Sequence, residues 1–193
     1  DIRSPSSCTN TDIVDAVAWS NVNNVSYEDT MVARVEVSGS GSKYLTLTGF
    51  NFSIPTFATI NGVLARVKRY ANLSAGGHSG ARIEDYEVKL IKGGAISGDN
   101  SIATPNIGRW ETTPKYVAYG GSSSLWGLTL TPQDINDSDF GIAIAVIGNL
   151  FDSTEIAYID HVELTVYYTD GVDIMSTDTV KKIINSNGIN QGA

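Results

Sequence analysis

Two stretches near the end of the chain repeat with a period of two, the first alternating large aliphatic residues with alanine and the second alternating mainly apolar with more polar residues, which favours extended structure. Residues 142–147 follow a turn rich in Asn and Asp, and residues 156–168 follow soon afterwards. In the first stretch Ile142, Ile144 and Val146 share one face with Phe140. Period-two alternation predicts β-strands. We therefore predict that the two stretches form the closing pair of strands in an antiparallel sheet.

Similar alternation recurs earlier in the chain. It predicts strands at residues 31–37, 43–52, 63–70 and 82–92. The Asn61–Gly62 pair predicts a turn before the third of these. Only 18% of the residues are charged, and 19 are Gly, a composition that suits a protein with many turns. We predict an all-β fold, an antiparallel β-sandwich of the jelly-roll type.

The two ends of the chain differ in pattern from its middle. Residues 1–18 are polar and predict an extended N-terminal arm, and Trp19 begins a sandwich domain of residues 19–170. In the tail, residues 171–193, Val180, Ile183 and Ile184 fall at helical spacing and predict a short helix. Three apolar positions are too few for an independent helix. We expect it to dock on the sandwich or on another subunit, which makes these residues candidate assembly contacts.

Net charge excludes one class of function. The formal charge is -8, whereas nucleic-acid binding requires a basic surface. No apolar run approaches the roughly 20 residues needed to span a bilayer, and we expect no membrane partner. The chain has one cysteine, Cys8, and no cysteine–histidine spacing typical of a metal centre. We expect no cofactor.

Oxygen-bearing side chains in residues 134–139 raise the possibility of a cation site. Asp134 and Asp139 are the candidates for calcium, a hard cation that prefers oxygen ligands. The spacing differs from that of a helix–loop–helix calcium site, because the glycine position holds Asp139 and the final Glu is missing. Asp and Asn also stabilise turns through bonds to their own backbone. Turn formation is the preferred interpretation.

Two histidines are the candidates for general bases. His161 follows Asp160 on a predicted strand, where successive side chains point to opposite faces, so we expect no direct pairing. His78 lies in a Gly-Gly-His-Ser-Gly stretch that does not match the nucleophile elbow of hydrolases. We therefore predict that the protein is not an enzyme.

Aromatic residues in the predicted loops suggest a different function. Trp110 and Tyr116 lie in the long segment 93–124, and aromatic rings on the rim of a sandwich can stack on sugar rings. The same residues can also serve as core anchors or subunit contacts. Exposure of both on one concave face would favour a glycan-binding module, and burial of both would remove its main support.

Several longer stretches resemble a recurrent pattern of virion structural proteins of tailed bacteriophages. The resemblance extends over residues 19–168. It is carried by residues 49–55 (GFNFSIP), 58–63 (ATINGV), 119–121 (YGG), 125–127 (LWG), 135–141 (INDSDFG) and 157–168 (AYIDHVELTVYY).

The resemblance implies a component of the phage particle, such as a decoration, collar, fibre or tail-attached protein. It transfers no catalytic or binding residue. The expected partners are other virion proteins and copies of the chain itself, and the expected location is the extracellular virion. The alternative is a glycan-binding module for attachment to a host or substrate.

Overall fold

The computed structural model describes residues 1–13, 15–73, 82–102, 109–149 and 155–171. Within them, ten β-strands pair exclusively in the antiparallel sense. The strands are β1 (Ile2–Arg3), β2 (Ser7–Thr11), β3 (Ala33–Val37), β4 (Tyr44–Thr48), β5 (Thr59–Leu73), β6 (Ile83–Lys92), β7 (Ala95–Ser97), β8 (Lys115–Gly120), β9 (Gly141–Gly148) and β10 (Glu155–Thr169). A 3₁₀ helix spans Val22–Ser26, and helix α1 spans Pro132–Asn136.

The strands form two five-stranded sheets, as predicted for an all-β sandwich. The first sheet has the order β1-β10-β5-β8, and β3 pairs with β10 on the same edge as β1. The second sheet has the order β2-β4-β9-β6-β7. From β3 onward the chain crosses repeatedly between the sheets, so that β3, β5, β8 and β10 belong to the first and β4, β6, β7 and β9 to the second.

The core lies between the inner faces of the two sheets. Val63, Ala65 and Val67 of β5 face Ile142 and Ile144 of β9, and all five side chains are completely buried. In β5 the buried residues alternate with half-buried ones, as the period of two predicts, whereas in β9 the intervening Ala143 and Ala145 are buried as well. Complete burial of an aliphatic side chain of this size contributes about 1.5–3 kcal/mol. The core therefore accounts for most of the hydrophobic driving force that joins the sheets.

The N-terminal segment predicted as an extended arm is not separate from the sandwich, because it contributes a strand to each sheet. Strand β1 pairs with β10, and β2 pairs with β4 along its whole length. Sheet edges offer unpaired N–H and C=O groups, which short polar segments can satisfy without an apolar face. Trp19 is an anchor as predicted: it is buried, and its Nε1 donates to Lys43 O at 3.0 Å.

Two strand predictions require correction. Asn61 and Gly62 lie inside β5 rather than in a turn, since β5 remains paired with β10 through them. In β6 the alternation in the sequence predicts a polar face with Asp85, Glu87 and Lys89 opposite Tyr86, Val88 and Leu90, yet the side chain of Asp85 is buried. The cause is a β-bulge between Asp85 and Glu87, which breaks the strict alternation. The predicted helix with Val180, Ile183 and Ile184 lies outside the described residues.

The segment that precedes β9 closes one end of the sandwich. Trp126 is buried, and its Nε1 donates to Val63 O at 2.9 Å. Thr131 caps helix α1 in a reciprocal capping box with Asp134. Asn136 donates to Ile54 O at 2.8 Å and accepts from Ile54 N at 2.7 Å, which fixes the neighbouring loop. Neither helix of the described chain has the length and apolar character that a bilayer crossing requires.

Candidate functional site

The outer face of the first sheet carries a row of polar side chains that crosses three strands. Tyr116 of β8 pairs in register with Lys68 of β5, and Lys68 pairs with His161 of β10. The next row contains Arg66 and Glu163, whose Nη1 and Oε1 atoms are 2.5 Å apart. We call Tyr116, Lys68 and His161 the outer-face row. The row places a phenol, an ammonium group and an imidazole on adjacent strands, an arrangement that the sequence pattern did not predict.

His161 connects the N-terminal segment to this row. Its Nε2 lies 2.9 Å from Ser4 Oγ, and its Nδ1 lies 2.9 Å from Tyr116 OH. The imidazole is buried rather than partly exposed, and burial lowers the pKa of His161 below its ordinary value. Burial, assisted by a hydrogen bond to Glu28, raises the pKa of Tyr116 to about 12. At neutral pH, Ser4, His161 and Tyr116 therefore form an uncharged hydrogen-bonded chain.

Lys68 provides the positive charge of the row. Its Nζ lies 2.8 Å from Asp160 Oδ2 and 2.9 Å from Glu28 Oε1, and these carboxylates raise the pKa of Lys68. A β-bulge lies between Ile159 and His161. Because of the bulge, Asp160 and His161 both reach groups on the outer face, so the prediction that they point to opposite faces is wrong. Asp160 contacts Lys68, whereas His161 contacts Tyr116.

The Ser4–His161 pair superficially resembles the nucleophile and base of a hydrolase. In such enzymes a carboxylate on the second histidine nitrogen stabilises the imidazolium that forms during reaction. Here that position is occupied by Tyr116, whose raised pKa keeps it neutral. Ser4 is held against the sheet, and the segment between β1 and β2 is fixed with it.

A second group of polar residues lies between the sheets. Arg69 Nη1 lies 3.1 Å from Asp85 Oδ1, and both side chains are almost completely buried. Trp110 Nε1 donates to Asp85 Oδ1 at 2.8 Å, and Tyr119 OH donates to the carboxylate at 3.1 Å. The Arg69 guanidinium lies 4.6 Å from the centre of the Trp110 ring. Burial raises the pKa of Asp85 to about 6, although Arg69 and Tyr119 oppose the shift.

This arrangement changes the interpretation of the aromatic candidates. Trp110 is only 2% exposed and belongs to the core beside Asp85, so it is unavailable for stacking on a sugar. Tyr116 is half-buried, and the Arg66 guanidinium lies 4.3 Å from its ring centre. Trp110 therefore packs in the core, and Arg66 covers one ring face of Tyr116.

The two calcium candidates have other roles. Asp134 Oδ2 accepts bonds from Thr131 N and Oγ1 and lies 3.1 Å from Lys92 Nζ, so a lysine ammonium occupies its cation position. Asp139 donates its backbone N–H to Asp137 Oδ1, a local turn contact. Within the described ranges no group of three or more His, Cys, Asp or Glu side chains is arranged to hold a metal ion.

The chain was compared with known protein families and curated proteins. No family model and no curated protein matches it. The structure itself must therefore support any functional proposal. Val180, Ile183 and Ile184, the candidate assembly contacts, and His78 lie outside the described residues.

Sequence reasoning missed three important residues. Ser4 has no motif around it, and its contact with His161 depends on a pairing between residues 157 positions apart. Asp85 lies at a position where the sequence pattern does not indicate burial. A detectable signal existed for Arg69 alone, since it shares the parity of Val63, Ala65 and Val67 in β5.

Proposed function

We propose that the protein is a non-enzymatic structural subunit of a tailed-bacteriophage particle, attached to the capsid or tail through subunit contacts. The sequence resemblance to phage virion proteins motivates the proposal. Strand order supports it: β3-β10-β5-β8 and β4-β9-β6-β7 together match the eight-strand interleaving of a jelly roll. Jelly rolls are common in viral capsid proteins, although lectins also use them. Because fold alone does not determine function, the choice between a capsid protein and a lectin depends on the residues at the surface.

An exposed apolar patch on the first sheet is the main support for assembly. Ile2 pairs with Thr165, which places it diagonally beside Tyr167 on the outer face of β10. Ile2 is 59% exposed and Tyr167 36% exposed. Leu64, the partner of Thr165 in β5, is half-buried on the same face. We call Ile2, Leu64, Thr165 and Tyr167 the apolar patch. Contiguous exposed apolar side chains are typical of interaction sites.

The position of this patch fits a role for the C-terminal tail. Strand β10 ends at Thr169, only two residues beyond Tyr167, and the described chain ends nearby at Gly171. Phe57, 58% exposed, lies against Gly171 at the same end of the sheet. The described chain therefore ends beside exposed apolar side chains. A subunit contact that includes both the patch and the tail would bury them together.

The test is the molar mass in solution, measured by multi-angle light scattering, of the full chain and of three variants. One variant ends at Asp170, one carries Ile2→Lys with Tyr167→Lys, and the control carries Tyr86→Lys. Tyr86 is 46% exposed on the second sheet and is a matched tyrosine. We expect the full chain and the control to form the same oligomer and the other two variants to be monomers. A monomeric full chain would exclude self-assembly through the patch.

A further inference from the structure

A polar groove lies between the segment that joins β1 to β2 and the region of the 3₁₀ helix. Its volume is about 380 Å³, within the range of about 300–1,000 Å³ usual for small-ligand sites. All six lining side chains are uncharged. They are Ser4, Pro5, Ser6, Asn23, Ser26 and Tyr27. Three hydroxyls and one amide thus face the groove together with one aromatic ring.

Contacts with both sheets fix one wall of the groove. Ser4 Oγ is bonded to His161 Nε2 of the first sheet at 2.9 Å. Ser6 Oγ donates to Gly49 O at 2.7 Å, and Ser6 N donates to Thr48 O at 3.2 Å. Pro5 between them is buried. Since these contacts exist without a ligand, little conformational entropy would be lost when one binds.

The opposite wall is held by the 3₁₀ helix. Val25 is completely buried and anchors the helix in the core. Ser26 Oγ lies 3.5 Å from Cys8 Sγ of β2. Tyr27 follows directly in extended conformation and is 74% exposed, more than any other large apolar or aromatic side chain in the described residues. A rigid support thus presents an aromatic ring to solvent at the edge of the groove.

We propose that this groove binds a neutral pyranose sugar. The C–H face of a pyranose ring stacks on an aromatic ring such as that of Tyr27. Its hydroxyls can bond to the amide of Asn23 and donate to the lone pairs that the hydroxyls of Ser4, Ser6 and Ser26 retain beside their contacts with the protein. A charged ligand would find no countercharge among the lining side chains. An apolar ligand would leave the serine hydroxyls and the asparagine amide without water, at a cost in free energy.

A second groove on the outer face of the second sheet provides a contrast. It has a volume of about 230 Å³, and no aromatic residue lines it. Its threonine hydroxyls bond to one another, with Thr9 Oγ1 and Thr46 Oγ1 2.7 Å apart and Thr11 Oγ1 and Thr46 Oγ1 3.1 Å apart. The difference from the first groove is that no ring supplies a stacking face here. The groove at Tyr27 is therefore the better sugar site.

The proposal can be tested by saturation-transfer NMR with the methyl glycosides of glucose, galactose, mannose and N-acetylglucosamine. Four proteins are compared: the full wild-type chain, Tyr27→Ala, Asn23→Ala and the control Tyr86→Ala. We expect the wild type and the control to transfer saturation to the ring protons of at least one sugar. Loss of stacking in Tyr27→Ala should weaken binding by about tenfold.

Tyr27 and Asn23 are both exposed, so their replacement should leave the fold intact, and circular dichroism checks this. Two results would overturn the proposal: no transfer from the wild type to any of the four glycosides, or equal transfer from the wild type and Tyr27→Ala. Neither result depends on oligomeric state. The sugar site and the proposed structural function can therefore fail separately.

Discussion

Lys68 and Arg69 are neighbours in β5, yet their side chains point to opposite faces of the first sheet. Each pairs with an aspartate: Lys68 Nζ lies 2.8 Å from Asp160 Oδ2, and Arg69 Nη1 lies 3.1 Å from Asp85 Oδ1. The side chain of Lys68 is 23% exposed, whereas that of Arg69 is 1% exposed. Similar ion pairs thus occur in two very different surroundings within one strand.

The comparison shows how surroundings determine what an ion pair contributes. Lys68 also pairs with Glu28, which is 53% exposed, so water can replace Lys68 there. Asp160, only 8% exposed, keeps the bond from Asp29 N. Asp85 lies between two sheets, where Arg69, Trp110 and Tyr119 supply its hydrogen bonds. Breaking a buried pair leaves an uncompensated charge, whereas breaking an exposed pair exchanges one polar contact for another. We therefore expect unequal effects from equivalent substitutions.

Arg69→Met should have the largest effect. Methionine retains much of the length of arginine but removes the positive charge beside Asp85, and loss of one partner of a buried pair costs about 3–5 kcal/mol. Urea unfolding followed by circular dichroism measures the change in the free energy of unfolding. A domain of ordinary stability, about 5–15 kcal/mol, would lose a large part of it.

The double variant Arg69→Met with Asp85→Leu separates charge from packing. If the unpaired Asp85 carboxylate causes the loss, removing it should recover much of the free energy of unfolding, because buried pairs are often replaceable by apolar residues. A double variant less stable than Arg69→Met alone would mean that the packing around Trp110 and Tyr119 depends on the ion pair itself.

The free energy of unfolding should depend on pH through the buried pair, and the direction of this dependence follows from the pKa of Asp85. The pKa of Asp85 is raised from 3.8 to about 6 in the folded protein. Between these values the folded state binds the proton more readily than the unfolded chain, so this group stabilises the fold at low pH. That contribution is lost as pH rises through about 6. The full shift corresponds to about 3 kcal/mol.

Asp85→Asn removes this titration. We expect the difference in the free energy of unfolding between wild type and Asp85→Asn to change between pH 4 and pH 7, with the wild type relatively more stable at the acid end. Urea titrations at several pH values give both curves, and subtraction cancels the remaining carboxylates. Parallel curves would show that Asp85 has an ordinary pKa in the folded protein.

Trp110→Phe should have an intermediate effect. The substitution removes the Nε1 donor to Asp85, and hydrogen bonds to charged groups contribute about 1.5–3 kcal/mol. Trp126→Phe is the matched control, because it removes the donor to the neutral Val63 O, for which about 0.5–1.5 kcal/mol is expected. Urea unfolding compares the two, and a larger loss in Trp126→Phe would contradict the importance assigned to the Asp85 carboxylate.

The fold was largely predictable because alternation of apolar residues depends on local sequence. It located β9 and β10 within one or two residues, and Trp19 as the first anchor. The errors have a common physical origin. Strands β1 and β2 have no apolar periodicity and form only because sheet edges are available. Likewise, the bulges beside Asp85 and Asp160 reverse the faces that strict alternation predicts.

The candidate site was much less predictable. The contact between Ser4 and His161 joins the two ends of the chain, and no short-range pattern encodes it. Tyr27 lies in a polar segment of the sequence. Its exposed ring is held in a fixed position by the burial of Val25, which the sequence pattern does not show. Of the two aromatic candidates for a glycan site, Trp110 lies outside the strands as predicted, whereas Tyr116 lies in strand β8, within the segment predicted to be a loop. Their hydrogen-bond partners are Asp85 and His161.

Lys68→Met should have the smallest effect of the series. Exposed and partly exposed ion pairs contribute about 0–1 kcal/mol, and Asp160 retains the bond from Asp29 N at 3.3 Å. We expect a loss several times smaller than that of Arg69→Met, measured in the same urea experiment. Repeating the urea experiment at several NaCl concentrations distinguishes the two positions further, since added NaCl screens charges near solvent more strongly than buried ones.

The loss caused by Lys68→Met should therefore shrink at high salt, whereas the loss caused by Arg69→Met should stay nearly constant. Equal losses at both positions would contradict the argument from burial, because both substitutions remove one positive charge beside an aspartate. A salt-dependent loss at Arg69 would mean that water reaches Asp85. The salt dependence of these two losses thus shows whether water reaches the ion pair on each side of the sheet.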